Sequence, residues 1–500
     1  MLEIFRAATK DFQAEITFVP NPELKNRIWT TVLIGKNGSR KSFILRQILE
    51  TAFGKTHFIY NKKEKIETQG VGWIFPHHPQ KIICISGTPL DRFPRSGYTP
   101  RTSSKRKTNR NFLYLGQRAS NGMVGTAQSE RSLIATLIEN AEYLHLKKSL
   151  FEIAFKHLEL SPKIKIALKP SKLVADAFST LERVPIRNRY MANDSIEDLS
   201  KKLINNFKDL LEKEKPNAQI FKSLDKLEKL EHHGIFHLMN IFHEPKEASY
   251  LLFDNAIIHK HGPNPKDWDT DVWILLLRAG FLDIDYTVFY RLGDSNQTDS
   301  SSQSYEPSDI LGEHLSSGQW SWLAGFVGLC AEIADDSLIL IDEPENSLHP
   351  IWQQNYVPTL QAITREFPGT QTIIATHSPL IASGIDPENG NVLTLKSILD
   401  RETNRTVLTA TPVESTFGWA ASDVYQEAFG VTSDRAPSFT ATADLALSLI
   451  RKNEPLSAVD ASSITDDLAA KLESLPLHDP LRNVLKSIIT KLQELTKARS

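Results

Sequence analysis

The chain has 500 residues, 40% apolar and 24% charged, with a net charge near −2, which describes an ordinary soluble globular protein and excludes a global basic field for nucleic acid. Its length calls for two or three domains. The two cysteines, Cys84 and Cys330, point to a reducing cytosol rather than a disulfide framework; with no apolar run of about 18 residues and no signal-peptide core near Met1, a soluble, cytoplasmic protein is expected.

Residues 1–60 read as strands followed by a helix. The apolar run over 29–34 predicts a strand, a glycine loop follows, and 42–53 carries Ile44, Leu45, Ile48 and Leu49 at helical spacing. Further strands are predicted over 81–86 and 111–115, with a Pro-, Arg- and Ser-rich stretch between them. From about Gln128 to His243 the pattern turns polar and helical, clearest over 196–213 and 220–230, and Pro216 interrupts it. No heptad lasts three or four turns, so a helical insertion is expected, not a long coiled coil. The α/β character returns after Tyr250 with an apolar run over 272–277, and 295–308 is a Ser/Gln/Asp-rich loop. Leu338 to Ile341 has no polar break, as suits a central parallel strand covered on both faces, and it ends in Asp342 and Glu343. A helix over 320–333 precedes it, and strands over 372–375 and 405–411 follow. The tail over 417–500 reads as helical, with the clearest amphipathic spacing over 445–450 and 481–495. The resulting division is 1–127, 128–249, 250–415 and 416–500, with no internal repeat.

Chemistry concentrates in a few strings. Gly35, Asn37, Gly38, Ser39, Arg40, Lys41 and Ser42 lie between a predicted strand and a predicted helix, where a phosphate loop belongs. Glycines let backbone N–H groups approach phosphate, Lys41 would reach the β- and γ-phosphates, and the Ser42 hydroxyl would bind Mg²⁺. Arg40 stands where the pattern GxxxxGK[ST] has glycine; if that position needs positive φ, a side chain costs roughly 1–2 kcal/mol. Acids at the carboxyl end of a parallel strand lie where open α/β sheets bind ligands. Asp342 is therefore the candidate Mg²⁺ ligand and Glu343 the candidate general base for an attacking water. His232, His233, His237 and His243 lack acidic or Cys partners at metal-ligand spacing and read as solvated or core histidines.

Ser316-Ser317-Gly318-Gln319, with Leu338 nineteen residues after Gln319, resembles the signature loop of the ABC ATPase superfamily. In that superfamily the signature completes the site of a second subunit, so ATP joins two protomers. Asn346-Ser347-Leu348-His349-Pro350 is similar to the segment that contacts the partner's site, and His377 to the switch histidine that senses the γ-phosphate. The glutamine that links Mg²⁺ to the first lobe is read as Gln117. The long spacing between Ser42 and Asp342, the Asp-Glu-Pro-Glu-Asn-Ser-Leu-His-Pro string and the Ala-Thr-His-Ser-Pro string resemble the AAA15/AAA21 group, which includes Rad50/RecF-like and OLD-like ATPases. Within it, Ile82 to Phe93, Tyr114-Leu115-Gly116 and Gly418 to Ser433 resemble PtuA, the ATPase of Septu anti-phage systems and of retrons carrying Septu-like effectors. The resemblance implies an α/β, ABC/SMC-like ATPase head, a mixed sheet with flanking helices, carrying a helical insertion and a helical C-terminal region. It implies ATP and Mg²⁺ as ligands, a homodimer or higher homo-oligomer, and a separately encoded HNH nuclease of the PtuB type. The residues after His377 offer only Asp466-Asp467 in a helical stretch, so no Toprim nuclease module is expected.

From Arg92 to Arg118 there are eight Lys or Arg residues and no acid, with Tyr98, Phe112 and Tyr114 interleaved. This is either a solvated loop or a sequence-nonspecific contact to a nucleic-acid backbone, DNA or a retron's DNA–RNA hybrid. The function expected is a regulatory ATPase subunit of an anti-phage complex whose nucleotide state gates the nuclease. The alternative is a RecF/Rad50-like repair or maintenance ATPase acting directly on DNA. A transporter subunit is disfavoured by the insertion and the long spacing between motifs.

Overall fold

The computed structural model describes residues 1–8, 12–20, 28–53, 57–61, 64–67, 72–73, 79–88, 91, 93–94, 111–117, 125–170, 250–261, 282–292, 309–413, 416–427, 429–431, 435–452 and 458–497. Most of the basic segment 92–118, residues 171–249 with their four histidines, the apolar run 272–277 and the loop 295–308 lie outside the described residues. The chain divides into two compact units, Met1–Trp419 and Ala420–Ser500.

The first unit is built on a mixed sheet whose centre is six adjacent parallel strands. In spatial order these are β16 (Gly390–Asp400), β3 (Trp29–Ile34), β15 (Gln371–Ala375), β14 (Ser337–Asp342), β7 (Lys81–Ser86) and β8 (Phe112–Gly116). β3, β14 and β15 are buried along their whole length, which is why apolar residues fill consecutive positions over 32–34, 338–341 and 373–375. Beyond β16 the sheet continues through β17 (Arg405–Val413), β2 (Phe12–Thr17) and β1 (Leu2–Ala8), and antiparallel pairs bring in β4 (His57–Asn61), β5 (Glu64–Glu67) and β6 (Gly72–Trp73). Helix α1 (Lys41–Ala52) buries Phe43, Ile44, Leu45, Ile48 and Leu49 against this sheet in one core with Leu33, Leu338, Leu340 and Ile373.

Strand register sets up the site. Asp342 pairs with Ala375 on one side and Ser86 on the other, and Ala375 pairs with Leu33. The loops leaving β3, β15, β14 and β7 therefore start from one edge of the sheet, where ligands bind in open α/β folds.

A second, antiparallel sheet has the order β11 (Ile257–His261), β10 (Tyr250–Asp254), β9 (Leu160–Pro170), β12 (Leu282–Arg291) and β13 (Ile310–Leu311). It corrects the expectation of an all-helical segment over 128–249. That segment begins with helices α2 (Thr126–Glu139) and α3 (Lys148–Lys156), but β9 follows them. Ile164, Ile166 and Leu168 are buried and alternate with Lys163, Lys165 and Lys169, the period of a half-buried strand. Their lysines had merged into the Lys-rich helical pattern downstream. β12 and β13 lead straight into the signature segment, with helix α4 (Ser317–Trp322) continuing through a π turn, Leu323–Val327, into α5 (Gly328–Glu332). Helices α6 (Pro350–Thr364) and α7 (Pro379–Ala382) follow β14 and β15.

The second unit is helical, as expected: α8 (Ala421–Glu427), α9 (Pro437–Lys452), α10 (Ala458–Ser474) and α11 (Leu481–Lys497). Leu485, Ile488 and Leu492 on one face of α11 pack with Ala446, Leu468 and Leu475.

Candidate functional site: a phosphate loop facing paired carboxylates

The phosphate loop leaves β3 and turns into α1. Gly35 has φ 150°, and a Cβ there would come within 2.5 Å of the Leu395 carbonyl. Asn37 and Gly38 are exposed at the tip, while Ser39 is buried. Arg40 is the N-cap residue of α1, at φ 69° and ψ 27°, so the position does require the left-handed conformation that glycine supplies elsewhere. Its guanidinium carbon lies 5.8 Å from the Phe12 ring centroid and 6.0 Å from that of Phe43. The two rings pack edge to face at 5.6 Å. Two contacts of roughly 0.5–1 kcal/mol each offset a backbone cost of similar size.

Lys41 is 5% exposed. Its Nζ donates to the Gly35 carbonyl at 2.9 Å and lies 3.5 Å from Ser39 Oγ and from His377 Nδ1. Burial lowers the ammonium to about 8 against the pull of Glu343, Glu345 and Asp342. Ser42 Oγ donates to Asp342 Oδ1 at 2.8 Å. Asp342, 2% exposed, is pushed up to about 7, chiefly by burial; Ser42 pulls it down, and Glu343, Asp91 and Glu345 add to the rise.

Glu343 also has positive φ, 47°. Its N–H donates to the Ala375 carbonyl at 2.8 Å, so its peptide is tied to β15. Its Oε2 accepts from Asn346 Nδ2 at 3.0 Å, and its Oε1 lies 3.9 Å from His377 Nε2. Burial, then Lys41, lowers His377, with Glu343 opposing. Burial and the Lys41 ammonium thus both favour the neutral ring, with Nδ1 facing Lys41 and Nε2 facing Glu343.

The structure thus brings together the loop residues, Ser42, Asp342, Glu343 and His377. Gln117 leaves the same sheet edge one strand further out: it follows Gly116, which pairs with Ser86, the neighbour of Asp342. The Gly87 N–H donates to the Asp342 carbonyl at 3.0 Å. Two further acids went unread in the sequence. Asp91 is buried, accepting from Tyr114 Oη at 2.6 Å and Phe93 N–H at 2.9 Å. Glu345 accepts from the His377 N–H at 2.5 Å and Thr376 Oγ1 at 2.8 Å, and burial pushes it up. The glutamate in Asp342-Glu343-Pro344-Glu345 was the available signal.

The signature segment is a helix start. Ser316 Oγ accepts from Gln319 N–H at 3.2 Å and Gln319 Oε1 accepts from Ser316 N–H at 2.8 Å, a reciprocal cap that leaves the Ser316 and Ser317 side chains exposed. Gly318 lies against the turn after β14: a Cβ there would be 2.2 Å from the Ser347 carbonyl. That turn holds exposed His349, whose Nδ1 accepts from the Ile351 N–H at 3.3 Å, and Ile351, 58% exposed. Signature and turn form one surface of this chain.

The acceptor-rich, hard-oxygen pair Ser42 and Asp342 fits a small divalent cation, and buried Lys41, with one close neutral acceptor, fits a phosphate. Two consequences can be measured. Arg40→Gly should stay within about 1 kcal/mol of wild type in urea denaturation, whereas Arg40→Ala, keeping the strain and losing the ring contacts, should fall about 1–2 kcal/mol below Arg40→Gly. For Asp342, a carboxyl raised by folding favours the native state below the unfolded value of 3.8 and loses that advantage as pH rises toward 7. Without divalent cation, Asp342→Asn should therefore be more stable than wild type at pH 8, on the order of a few kcal/mol, with the gap narrowing at pH 5 in thermal denaturation.

Known proteins share parts of this sequence and fold. A family model described as "AAA domain, putative AbiEii toxin, Type IV TA system" (AAA_21) matches residues 127–383, which takes in the signature, β14 and His377. The Retron Vc95 probable ATPase of Vibrio cholerae is 24% identical over 430 residues, covering 79% of this chain and 73% of that protein. The Retron Ec83 probable ATPase of Escherichia coli is 44% identical over 52 residues, a match that spans 10% of this chain and only 9% of that protein. The Smc head domain of Pyrococcus furiosus, solved bound to the C-terminal domain of ScpA, is 12% identical, covering 83% of this chain and 96% of that one at a TM-score of 0.29. With more than half of its length inside the family match, the chain belongs to the AAA_21 family of AAA domains.

Proposed function

We propose that this chain is the ATP-hydrolysing subunit of a retron-type anti-phage defence complex, and that its nucleotide-dependent self-association gates a separately encoded HNH nuclease. The observation that carries the ATPase reading is the convergence of Lys41, Ser42, Asp342, Glu343 and His377 at the ends of three parallel strands. The names of the two retron relatives support the biological setting.

In this reading Lys41 binds phosphate oxygens, which restores the charge that burial disfavours. Ser42 and Asp342 hold Mg²⁺, which neutralises phosphate charge when bound. Glu343 accepts the proton of the water that attacks the γ-phosphorus, releasing ADP and phosphate. Asn346 fixes the orientation of Glu343, and His377, with Nε2 toward Glu343, is placed to hydrogen-bond the γ-phosphate and the base together. The exposed surface of Ser316, Ser317, His349 and Ile351 supports the two-protomer arrangement, with each signature serving the other protomer's site. The basic segment 92–118 would contact nucleic acid, DNA or a retron DNA–RNA hybrid, through its phosphates.

The test is purification with the flanking gene products, followed by ATP turnover and nuclease assays. Glu343→Gln should retain ATP binding and lose turnover by about 10²–10³-fold, the range for removing a general base. It should also lock the complex in its ATP-bound association state. Unchanged turnover would exclude Glu343 as the base. DNA processing by the chain alone, with no nuclease partner, would favour the RecF/Rad50-like alternative.

A further inference from the structure

Glu345 has no part in the chemistry just described, yet both its carboxylate oxygens are engaged. It sits two residues after the base, in the turn that ends against the signature. Both its oxygens reach across to the loop after β15: Oε1 accepts from the backbone N–H of His377 at 2.5 Å, and Oε2 from Thr376 Oγ1 at 2.8 Å. Thr376 Oγ1 in turn accepts from the Ser378 N–H at 2.9 Å. A second bridge runs parallel to the first. Ser378 Oγ donates to Gln353 Oε1 at 2.6 Å, and Gln353 Nε2 donates to the Leu348 carbonyl at 3.0 Å. Three consecutive residues, Thr376, His377 and Ser378, are thus fastened at two points to the segment 345–353, whose Ser347 carbonyl touches Gly318.

We propose that Glu345, seconded by Gln353, is a positioning residue of the ATPase reaction: it ties the His377 loop to the turn after Glu343, so that His377 is held in register with the base and its movement is passed to the surface shared with the signature. The proposal rests on the ATPase reading above. Its physical basis is directional. A carboxylate accepting a backbone N–H and a hydroxyl fixes the peptide that carries the histidine, and ring placement follows from that peptide. Thr376 is fully buried and Ser378 nearly so, which shields their hydroxyls from water. Without Glu345 the His377 N–H loses its acceptor, and the imidazole loses its fixed relation to Glu343 and Lys41.

Expected results separate this role from simple support of the fold. In the full chain, Glu345→Ala should lower kcat for ATP by roughly ten- to a hundredfold, the usual cost of losing an orienting partner, with KM within about threefold and a melting temperature lowered only by the loss of two hydrogen bonds, the fold remaining intact at the assay temperature. Glu345→Gln keeps an acceptor for the His377 N–H and should recover most of the rate. In a double-mutant cycle, Glu345→Ala combined with His377→Ala should be no slower than His377→Ala alone, because both act through one ring. If Glu345→Ala does not fold, Thr376→Val with His377→Ala runs the same cycle. Wild-type kcat in Glu345→Ala, or additive losses in the cycle, would overturn the proposal. Absence of ATP turnover in the wild-type complex would instead overturn the ATPase reading on which it rests.

Discussion

One hydrogen bond, from Ser42 Oγ to Asp342 at 2.8 Å, joins residues 300 positions apart, and the rest of the site depends on the register that permits it. β3 and β14 are not neighbours; β15 lies between them, and each pairing is in parallel register. A slip of one residue in either ladder would turn the strand's side chains to the opposite face. Asp342 would then point away from Ser42, and Glu343 away from His377. Close packing on both buried faces of β3, β14 and β15 opposes such a slip, since it would exchange side chains of different volume between two filled cores. Core packing and site geometry are therefore the same constraint. The central strands are buried so that their ends can be aligned.

Charge is the second constraint, and it is unbalanced in the protein alone. Asp342, Glu343, Glu345 and Asp91 influence one another, while Lys41 is the cation on which the first three act. Burial disfavours the ionised forms of three of these groups, raising Asp342 and Glu345 and lowering Lys41. Such a site is costly in the free protein, and the ligands of the proposed function would offset that cost: a cation beside Asp342 and phosphate oxygens beside Lys41. In the same field burial and Lys41 together outweigh Glu343 and lower His377.

Much of this was legible beforehand. The strands over 29–34, 81–86 and 338–342 are mostly apolar, and the loops after the first and last carry the chemistry directly. What the sequence did not display was lateral order. Nothing in the string says that β7, not β8, adjoins β14, or that Ser86 stands beside Asp342 with Gly116 one strand beyond it. β9 was missed because its alternating lysines look like a solvated helix face until a second sheet supplies the partner for its apolar side. Glu345 was overlooked for a different reason. Its partners are a backbone N–H and a threonine some thirty residues on, and no spacing rule announces a hydrogen bond to a peptide.

The strained residues complete the argument. Arg40, Glu343 and Ser347 all adopt positive φ without being glycine, and all three flank the site: one at the phosphate loop, one at the base, one against the signature. Each costs on the order of 1 kcal/mol or more and persists only where its surroundings leave no alternative. For Arg40 the surroundings are the Phe12 and Phe43 rings; for Glu343, the bond from its N–H to β15; for Ser347, the turn closed by Glu345 and Leu348, whose N–H donates to the Glu345 carbonyl at 3.0 Å. A glycine at any of these points would relax the backbone but would remove a side chain or loosen a turn that another part of the site leans on. At Glu343 the strain has a chemical return. A left-handed residue directly after a buried strand turns the chain sharply, so Asp342 and Glu343, adjacent in sequence, face different partners: the Ser42 hydroxyl for one, Asn346 and His377 for the other. Two neighbouring carboxylates in an extended strand would point to opposite faces of the sheet. The positive φ is what keeps both on the ligand side.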